Sequence, residues 1–232
     1  MDQTHCQLSL QLPYFQYFQY FDKMITAYPE AYGTLLDEIR NDLIVGQVRI
    51  GPTVMNENRM TTLYTMEDTS VKMVYSGREV KAKIPRLNGV IYTMFESFHD
   101  PTYRLTIFEH YGIVIPFFNS VFVNWYRPPT LTSPKIDYIG YHSDDIQSLR
   151  DETIYIITIC EDTGKRIFRF RKKGTTSGYE WQQELSSGSL LIMNKGCQDV
   201  YKHSVINNKT SLNKTPITGG RISLTFRSLR IN

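Results

Sequence analysis

The stretch that most constrains the fold of this chain is residues 138–145, which read YIGYHSDD. If it is a strand that ends in a turn, residues two apart point to one face, so His142 and Asp144 face the same way. One imidazole and one carboxylate are two of the three ligands of a facial iron triad, which keeps its other coordination positions open. An isolated H-x-D pattern is more often a surface turn that happens to contain a histidine.

The third ligand of such a triad has to come from a distant part of the chain. His203, within the short segment of residues 200–205, is the best-placed candidate. His99 and His110 have no spaced partner in the sequence, and we expect both to be hydrogen-bonded structural histidines.

Residues 121–126 read VFVNWY and have the alternating pattern of a strand. In a strand, Asn124 and Tyr126 share one face, while Val123 and Trp125 share the other. The segment therefore predicts a strand that presents an amide and a phenol side by side.

Residues 221–227 alternate in the same way. The apolar face consists of Ile222, Leu224 and Phe226. The opposite face carries Arg221, Ser223, Thr225 and Arg227. A buried guanidinium needs an anion, and its planar fork suits a carboxylate, so two arginines beside a phenol and an amide would hold a small dicarboxylate. The alternative is an amphipathic edge strand with solvated arginines, and this segment alone does not decide between them.

Taken in order, these motifs resemble those of the AlkB-like 2-oxoglutarate and Fe(II)-dependent dioxygenases. The set is N-x-Y, I-G-x-H-S-D-D, G-S-L-L-x-M-N before the second histidine, and R-x-x-L-T-F-R, and it extends over residues 121–229. Each motif alone is weak, whereas the ordered set is specific. The resemblance implies a mainly β (α+β) fold, a double-stranded β-helix or jelly roll with supporting N-terminal helices.

The resemblance also implies a role for each site residue. The implied ligands of Fe(II), which are also the catalytic residues, are His142, Asp144 and His203. The implied ligands of the co-substrate 2-oxoglutarate are Asn124, Tyr126, Arg221 and Arg227. Arg227 would hold the end near the metal, and Arg221 the distal carboxylate. The family has asparagine where this chain has Ser223, and a hydroxyl offers fewer hydrogen bonds than an amide, which predicts weaker co-substrate affinity.

The activity implied by the resemblance uses O2 to remove N-methyl groups from alkylated nucleobases in DNA or RNA, with release of formaldehyde, succinate and carbon dioxide. The methylated base has to be flipped out of a duplex first. In a lid formed by residues 46–85, Tyr75 would stack on that base, Tyr64 would bond to the base or a phosphate, and Arg59 would contact the backbone. Asp145 would contact the exocyclic amino group or positive charge of the lesion. Ordinary half-buried strand aromatics are the alternative for both tyrosines.

Two other functions remain open at this point. The chain could be a related dioxygenase that hydroxylates a protein or a small molecule. It could also be a nucleic-acid-binding module with a catalytically dead barrel, although the presence of every triad ligand and both arginines argues against that.

Length and composition limit the remaining choices. A chain of 232 residues with 41% hydrophobic and 13% aromatic residues predicts a single packed domain, residues 1–232. By resemblance, it divides into an N-terminal helical extension (1–45), the lid (46–85) and the jelly-roll core (118–232). Three widely spaced cysteines predict reduced thiols and an intracellular location, cytoplasm or nucleus. We expect no signal peptide or membrane span, a monomer, and methylated nucleic acid as the partner.

Four further segments give structural expectations. Residues 13–21 repeat aromatic pairs every three residues, which favours a helix packed on the domain over a base-stacking platform. Helices are also predicted over residues 34–43 and 90–98. The proline-rich loop of residues 127–135 is predicted to stay outside any sheet. Residues 165–173 contain six cations, which could contact phosphates or form a solvated hairpin tip.

Overall fold

Strands dominate the architecture. The structure is a computed structural model, and it describes residues 16–25, 30–50, 52–66, 72–75 and 78–230. The strands within these ranges are β1 (Phe18–Phe21), β2 (Ile44–Ile50), β3 (Thr53–Thr65), β4 (Lys72–Tyr75), β5 (Arg78–Lys83), β6 (Ser120–Tyr126), β7 (Ile139–His142), β8 (Leu149–Cys160), β9 (Arg166–Lys172), β10 (Trp181–Leu185), β11 (Leu190–Met193), β12 (Tyr201–Val205) and β13 (Arg221–Leu229). The helices are α1 (Ala31–Ile39), α2 (Val90–His99), α3 (Pro101–Tyr111) and α4 (Cys197–Val200).

The strands form two sheets. The larger sheet has the order β1-β11-β8-β13-β6-β3-β5-β4, with β2 paired to β3, and the smaller has the order β10-β9-β12-β7. From β6 to β9 the chain alternates between the two sheets at every strand, and the pairing is antiparallel except between β3 and β5. This is the predicted double-stranded β-helix.

The alternation predicted for β13 holds in the structure. Its apolar face packs beneath the helices, where the Phe226 ring lies 4.8 Å from that of Phe98 and 5.4 Å from that of Phe95. Burying one such side chain contributes about 1.5–3 kcal/mol. The opposite face of β13 therefore turns toward the smaller sheet, into the space between the two layers.

The helices differ from the prediction in their bounds and number. The helix predicted over residues 34–43 begins earlier, at Ala31, and gives way to a 3₁₀ turn at Arg40–Asp42. The unpredicted helix α3 has clear end signals. The Asp100 side chain accepts hydrogen bonds from the backbone N–H groups of Thr102 and Tyr103, Pro101 opens the helix, and Gly112 ends it with a φ of 66°.

Within the aromatic repeat, residues Phe18–Phe21 form a strand, so the helix predicted for this segment is wrong. This segment pairs with β11 at the edge of the larger sheet, with Phe18 opposite Met193. The Phe18 ring also stacks on Phe170 of the smaller sheet, 4.0 Å away. Backbone pairing with a distant strand decided the local conformation. Residues 13–15 lie outside the described part.

The helices in the described part of the chain are too short or too polar to cross a lipid bilayer.

Candidate metal centre

Two neighbouring strands of the smaller sheet bring the three predicted metal ligands together. His142 ends β7, and His203 of β12 lies directly opposite it in the antiparallel register. The two imidazole centroids are 4.2 Å apart. Asp144 follows two residues after His142, and one ligand atom from each of the three side chains lies within 4.8 Å of the others.

The hydrogen bonds of the triad fix the tautomer of His142 and leave Asp144 Oδ2 available to a cation. His142 Nδ1 lies 2.9 Å from the carbonyl oxygen of Gly140. A carbonyl only accepts, so Nδ1 carries the proton and Nε2 carries the lone pair that a metal requires. Asp144 Oδ2 lies 3.6 Å from His203 Nε2 and has no hydrogen-bond donor among the described residues. Two imidazoles and one carboxylate are a donor set that suits Fe(II).

The electrostatics keep all three ligands in their metal-binding forms. Burial lowers the pKa of His203 to about 3 and also lowers the pKa of His142. Burial alone would raise the pKa of the Asp144 carboxyl, but the Arg227 guanidinium, which bonds to it, holds it below its ordinary value. Neutral imidazoles and an ionised carboxylate are the states that bind divalent ions.

We expect the metal-free protein to lose stability as the pH falls from 6.5, the ordinary pKa of histidine, toward 3. In that window the unfolded chain binds a proton at His203 and the folded chain does not, so the free energy of unfolding decreases with decreasing pH. Urea denaturation across the window should show a weaker dependence for His203→Phe, whereas the exposed-site control His110→Phe should behave like the wild type. An unchanged pH dependence in His203→Phe would contradict the assignment.

The distal end of the site is built around Arg221. This residue is 1% exposed, and its Nη2 donates to Thr158 Oγ1 over 3.1 Å. Its Cζ lies 5.1 Å from the ring centroid of Tyr126, its register partner on β6. Arg221 Nε and Nη1 have no hydrogen-bond acceptor among the described residues. A buried guanidinium with two such donors fits an incoming carboxylate.

Arg227 lies at the other end of the polar face, against the metal ligands. Its Nη2 lies 2.5 Å from Asp144 Oδ1, and its Nη1 lies 3.1 Å from Met73 Sδ. A cavity of about 30 Å³ extends between the two arginines and the triad. Other residues of its lining are Asn124, Ser223, Thr225 and Phe168. The arginine face is therefore buried, and the solvated edge strand that the sequence left open is wrong.

Arg59 lies inside the protein, unlike the surface position expected of a backbone contact. It is 2% exposed, its Nη2 is 3.2 Å from Glu57 Oε1, and its Nε donates to Asn124 Oδ1 over 2.8 Å. Asn124 thus has its amide oriented by Arg59. Glu57, two residues earlier in β3, supplies the counter-charge for the buried guanidinium, whereas the bond to Asn124 is long-range and not evident from the sequence.

The structure does not bring Tyr64 to the site. Its hydroxyl donates to Asp42 Oδ2 over 2.7 Å, and the ring packs in the core beneath the helices, 2% exposed. Strand alternation in β3 turns the neighbouring Leu63 toward the other core, between the sheets. Tyr75 lies in β4, but its side chain is outside the described part. Asp145 is exposed and caps a 3₁₀ turn by accepting from the backbone N–H of Gln147.

One supporting residue escaped the sequence prediction. Gln198 is 3% exposed, and its Oε1 accepts from the backbone N–H of Asp144 over 2.9 Å, which holds the metal carboxylate in place. Its Nε2 donates to Met193 Sδ over 3.3 Å. A glutamine 54 residues away from its partner gives no local sequence signal.

Comparison with known proteins identifies the superfamily of this chain and solved structures with a similar fold. Residues 33–227 match the 2OG-Fe(II) oxygenase superfamily. The structure is similar to that of OsALKBH1, with a TM-score of 0.53 and 13% identity over 91% of this chain and 96% of that chain. A 2OG-Fe(II) oxygenase family oxidoreductase from Burkholderia pseudomallei also matches, with a TM-score of 0.46 and 14% identity over 93% of this chain and 86% of that chain. No curated protein matches in sequence. Since the family match contains the whole triad and most of the chain, the protein belongs to the 2OG-Fe(II) oxygenase superfamily, and it is a dioxygenase that uses Fe(II), 2-oxoglutarate and O2.

Proposed function

We propose that this dioxygenase removes N-methyl groups from alkylated nucleobases in DNA or RNA. When bound, Fe(II) with 2-oxoglutarate and O2 would hydroxylate the methyl carbon, and the product would release formaldehyde as the co-substrate becomes succinate and carbon dioxide. The name of OsALKBH1 is consistent with this class. The observation that carries the proposal, however, is a basic surface on the smaller sheet, the same sheet whose opposite face holds the two histidines of the metal centre.

We define this basic face as Arg169, Arg171 and Lys202 on the outer side of the smaller sheet. Arg171 lies directly opposite Lys202 in the register of β9 and β12, while the intervening residues, Phe170 and His203, point inward. None of the three cations forms an ion pair among the described residues. Unpaired cations on one face suit the regularly spaced phosphates of a nucleic acid.

Aromatic rings accompany the two arginines of the basic face. Arg171 Cζ lies 4.0 Å from the ring centroid of Tyr141, and Arg169 Cζ lies 4.4 Å from that of Tyr179. Tyr141 precedes the metal ligand His142 in β7 and therefore points to the opposite face of the sheet. Because β7 is the edge strand of the smaller sheet, a nucleic acid held on the basic face would have to pass around this edge to bring a base to the triad. Guanidinium and aromatic groups together contact both phosphates and stacked bases.

The chain's own residues would divide the work at the site. The triad would hold the metal, and Arg221 would bind the distal carboxylate of the co-substrate. Phe168 stacks nearly parallel on His203, with a centroid distance of 5.4 Å and an interplanar angle of 9°, and excludes water from that side. Asp145, exposed beside the triad, would accept a hydrogen bond from the exocyclic amino group of the target base.

The double variant Arg169→Gln/Arg171→Gln should bind oligonucleotides more weakly and with a reduced dependence on salt. Each lost phosphate contact removes about 0.7–0.9 from the slope of log K against log salt concentration. Fluorescence anisotropy with a labelled oligonucleotide at several salt concentrations measures this slope. Arg40→Gln, on α1, is the matched control and should leave it unchanged. A wild-type slope in the double variant would remove the basic face from the proposal.

The activity is tested with matched DNA and RNA oligonucleotides that carry 1-methyladenine or 3-methylcytosine. The proposal predicts formaldehyde and succinate in equal amounts from at least one of them. The alternative is hydroxylation of a protein or small molecule, which the interior positions of Arg59 and Tyr64 favour because neither can contact a nucleotide there. That alternative predicts succinate with a peptide or metabolite and no formaldehyde from any oligonucleotide.

A further inference from the structure

Arg166, at the start of β9, has no part in the site described above and yet is fully buried. It belongs to the cation-rich stretch of residues 165–173, but it is 0% exposed. Among the described residues it forms no ion pair, and its Nε has no hydrogen-bond acceptor. A guanidinium buried without a carboxylate is costly. The contacts of the Arg166 guanidinium should therefore explain why this charged side chain is buried.

The guanidinium of Arg166 binds three backbone carbonyls. Nη1 donates to the carbonyl oxygen of Gly164 over 2.7 Å, and Nη2 donates to those of Gly219 over 3.0 Å and Arg127 over 3.4 Å. A Cβ atom added at Gly164 would collide with the carbonyl of Gly220, so these loops approach as closely as glycine permits. We call these three hydrogen bonds the carbonyl clamp, and they hold three closely packed loops together.

Two of the clamped carbonyls adjoin the residues at the distal end of the co-substrate site. Arg127 directly follows Tyr126 at the end of β6, and Gly219 lies two residues before Arg221 at the start of β13. Tyr126 and Arg221 are partners in the β6–β13 register. One guanidinium therefore ties together the ends of the two strands that present the phenol and the arginine.

Charge gives a second link between the two buried arginines. Burial, followed by the nearby Arg221 cation, lowers the pKa of Arg166 to about 10, which still leaves it charged at neutral pH. Burial also lowers the pKa of Arg221. Two buried cations in one region, with no carboxylate paired to either among the described residues, make a positive potential that a bound anion would stabilise.

We infer that Arg166 is a positioning residue for the distal carboxylate of 2-oxoglutarate. It holds Tyr126 and Arg221 in register through the carbonyl clamp and places a second positive charge behind Arg221. Arg166 is not among the residues that line the cavity beside the metal ligands. Its removal should therefore weaken ligands that have a distal carboxylate and spare those that bind only the metal.

The test compares two ligands of the Mn(II)-loaded protein by calorimetry. 2-Oxoglutarate reaches the distal end, whereas oxalate chelates the metal and has no distal carboxylate. Arg166→Met should weaken 2-oxoglutarate binding about tenfold and change oxalate binding less than about twofold. The control Arg150→Met, at an exposed arginine of β8, should change neither.

Two further variants separate positioning from general support of the fold. Arg166→Lys keeps the positive charge but loses the planar guanidinium. It should lose less affinity for 2-oxoglutarate than Arg166→Met and should still leave oxalate binding nearly unchanged. This variant replaces Arg166→Met in the test if Arg166→Met does not fold. In an Arg221→Met background, Arg166→Met should change the ratio of the two affinities less than it does in the wild type, because most of its effect acts through Arg221. Equal weakening of both ligands, or no change in either, would overturn the inference.

Discussion

Replacing His142 with alanine should abolish succinate formation and leave the protein folded. The imidazole is one of three ligand groups within 4.8 Å of each other, whereas the residue itself is only half-buried at the end of β7. Mutation of groups that merely orient a metal ligand costs about 10–100-fold in affinity or activity, so loss of a ligand should cost more. Succinate release and circular dichroism, measured on the same preparation, check both halves of the expectation.

The matched control for this variant is His110→Ala. Among the described residues, His110 forms a hydrogen bond only with the Thr106 carbonyl of its own helix, on an exposed face. It should release succinate at the wild-type rate. Substantial turnover by His142→Ala, or equal loss in both variants, would contradict the metal assignment.

Replacing Arg227 with methionine should destabilise the metal-free protein by about 3–5 kcal/mol, because it leaves a buried carboxylate without its cation. The Arg227 and Asp144 side chains are 7% and 2% exposed, and their charged atoms lie 2.5 Å apart. Urea unfolding of the metal-free proteins measures the loss. Arg40→Met breaks an ion pair with Asp37 whose side chains are 62% and 74% exposed. This control should cost no more than about 1 kcal/mol.

A divalent ion should restore much of the stability lost in Arg227→Met. Mn(II) at the triad would give Asp144 a new positive partner, so the metal-induced increase in Tm should be larger in the variant than in the wild type. An equal increase in both proteins would mean that Arg227 and the metal do not act on the same carboxylate.

The local features of the site could be predicted from the sequence because strand alternation is a local rule. The pattern in residues 221–227 places Arg221 and Arg227 on one face, and the structure turns that face toward the triad. His142 and Asp144 come together for the same reason. The pairing of His203 with His142 is long-range, and the ordered resemblance, rather than any local pattern, pointed to it.

Features set by distant partners could not be predicted in this way. Arg59 is bound by Asn124, 65 residues away, and Tyr64 by Asp42, 22 residues away, and neither partner can be identified from the sequence around these two residues. Phe18–Phe21 lies in a repeat of three that also suits a helix, and its edge position beside β11 made it a strand. In each case a tertiary contact outweighs the local pattern.

The most direct test of the site is an anaerobic titration of the protein with Fe(II) and 2-oxoglutarate, followed by visible absorption. If the triad binds iron and Arg221 and Arg227 hold the keto acid, a charge-transfer band should appear, saturate at one equivalent of each, and be absent in His142→Ala. Arg221→Met should need more 2-oxoglutarate to reach the same band. A wild-type protein that shows no band at saturating concentrations of both, or a band that persists in His142→Ala, would contradict the account.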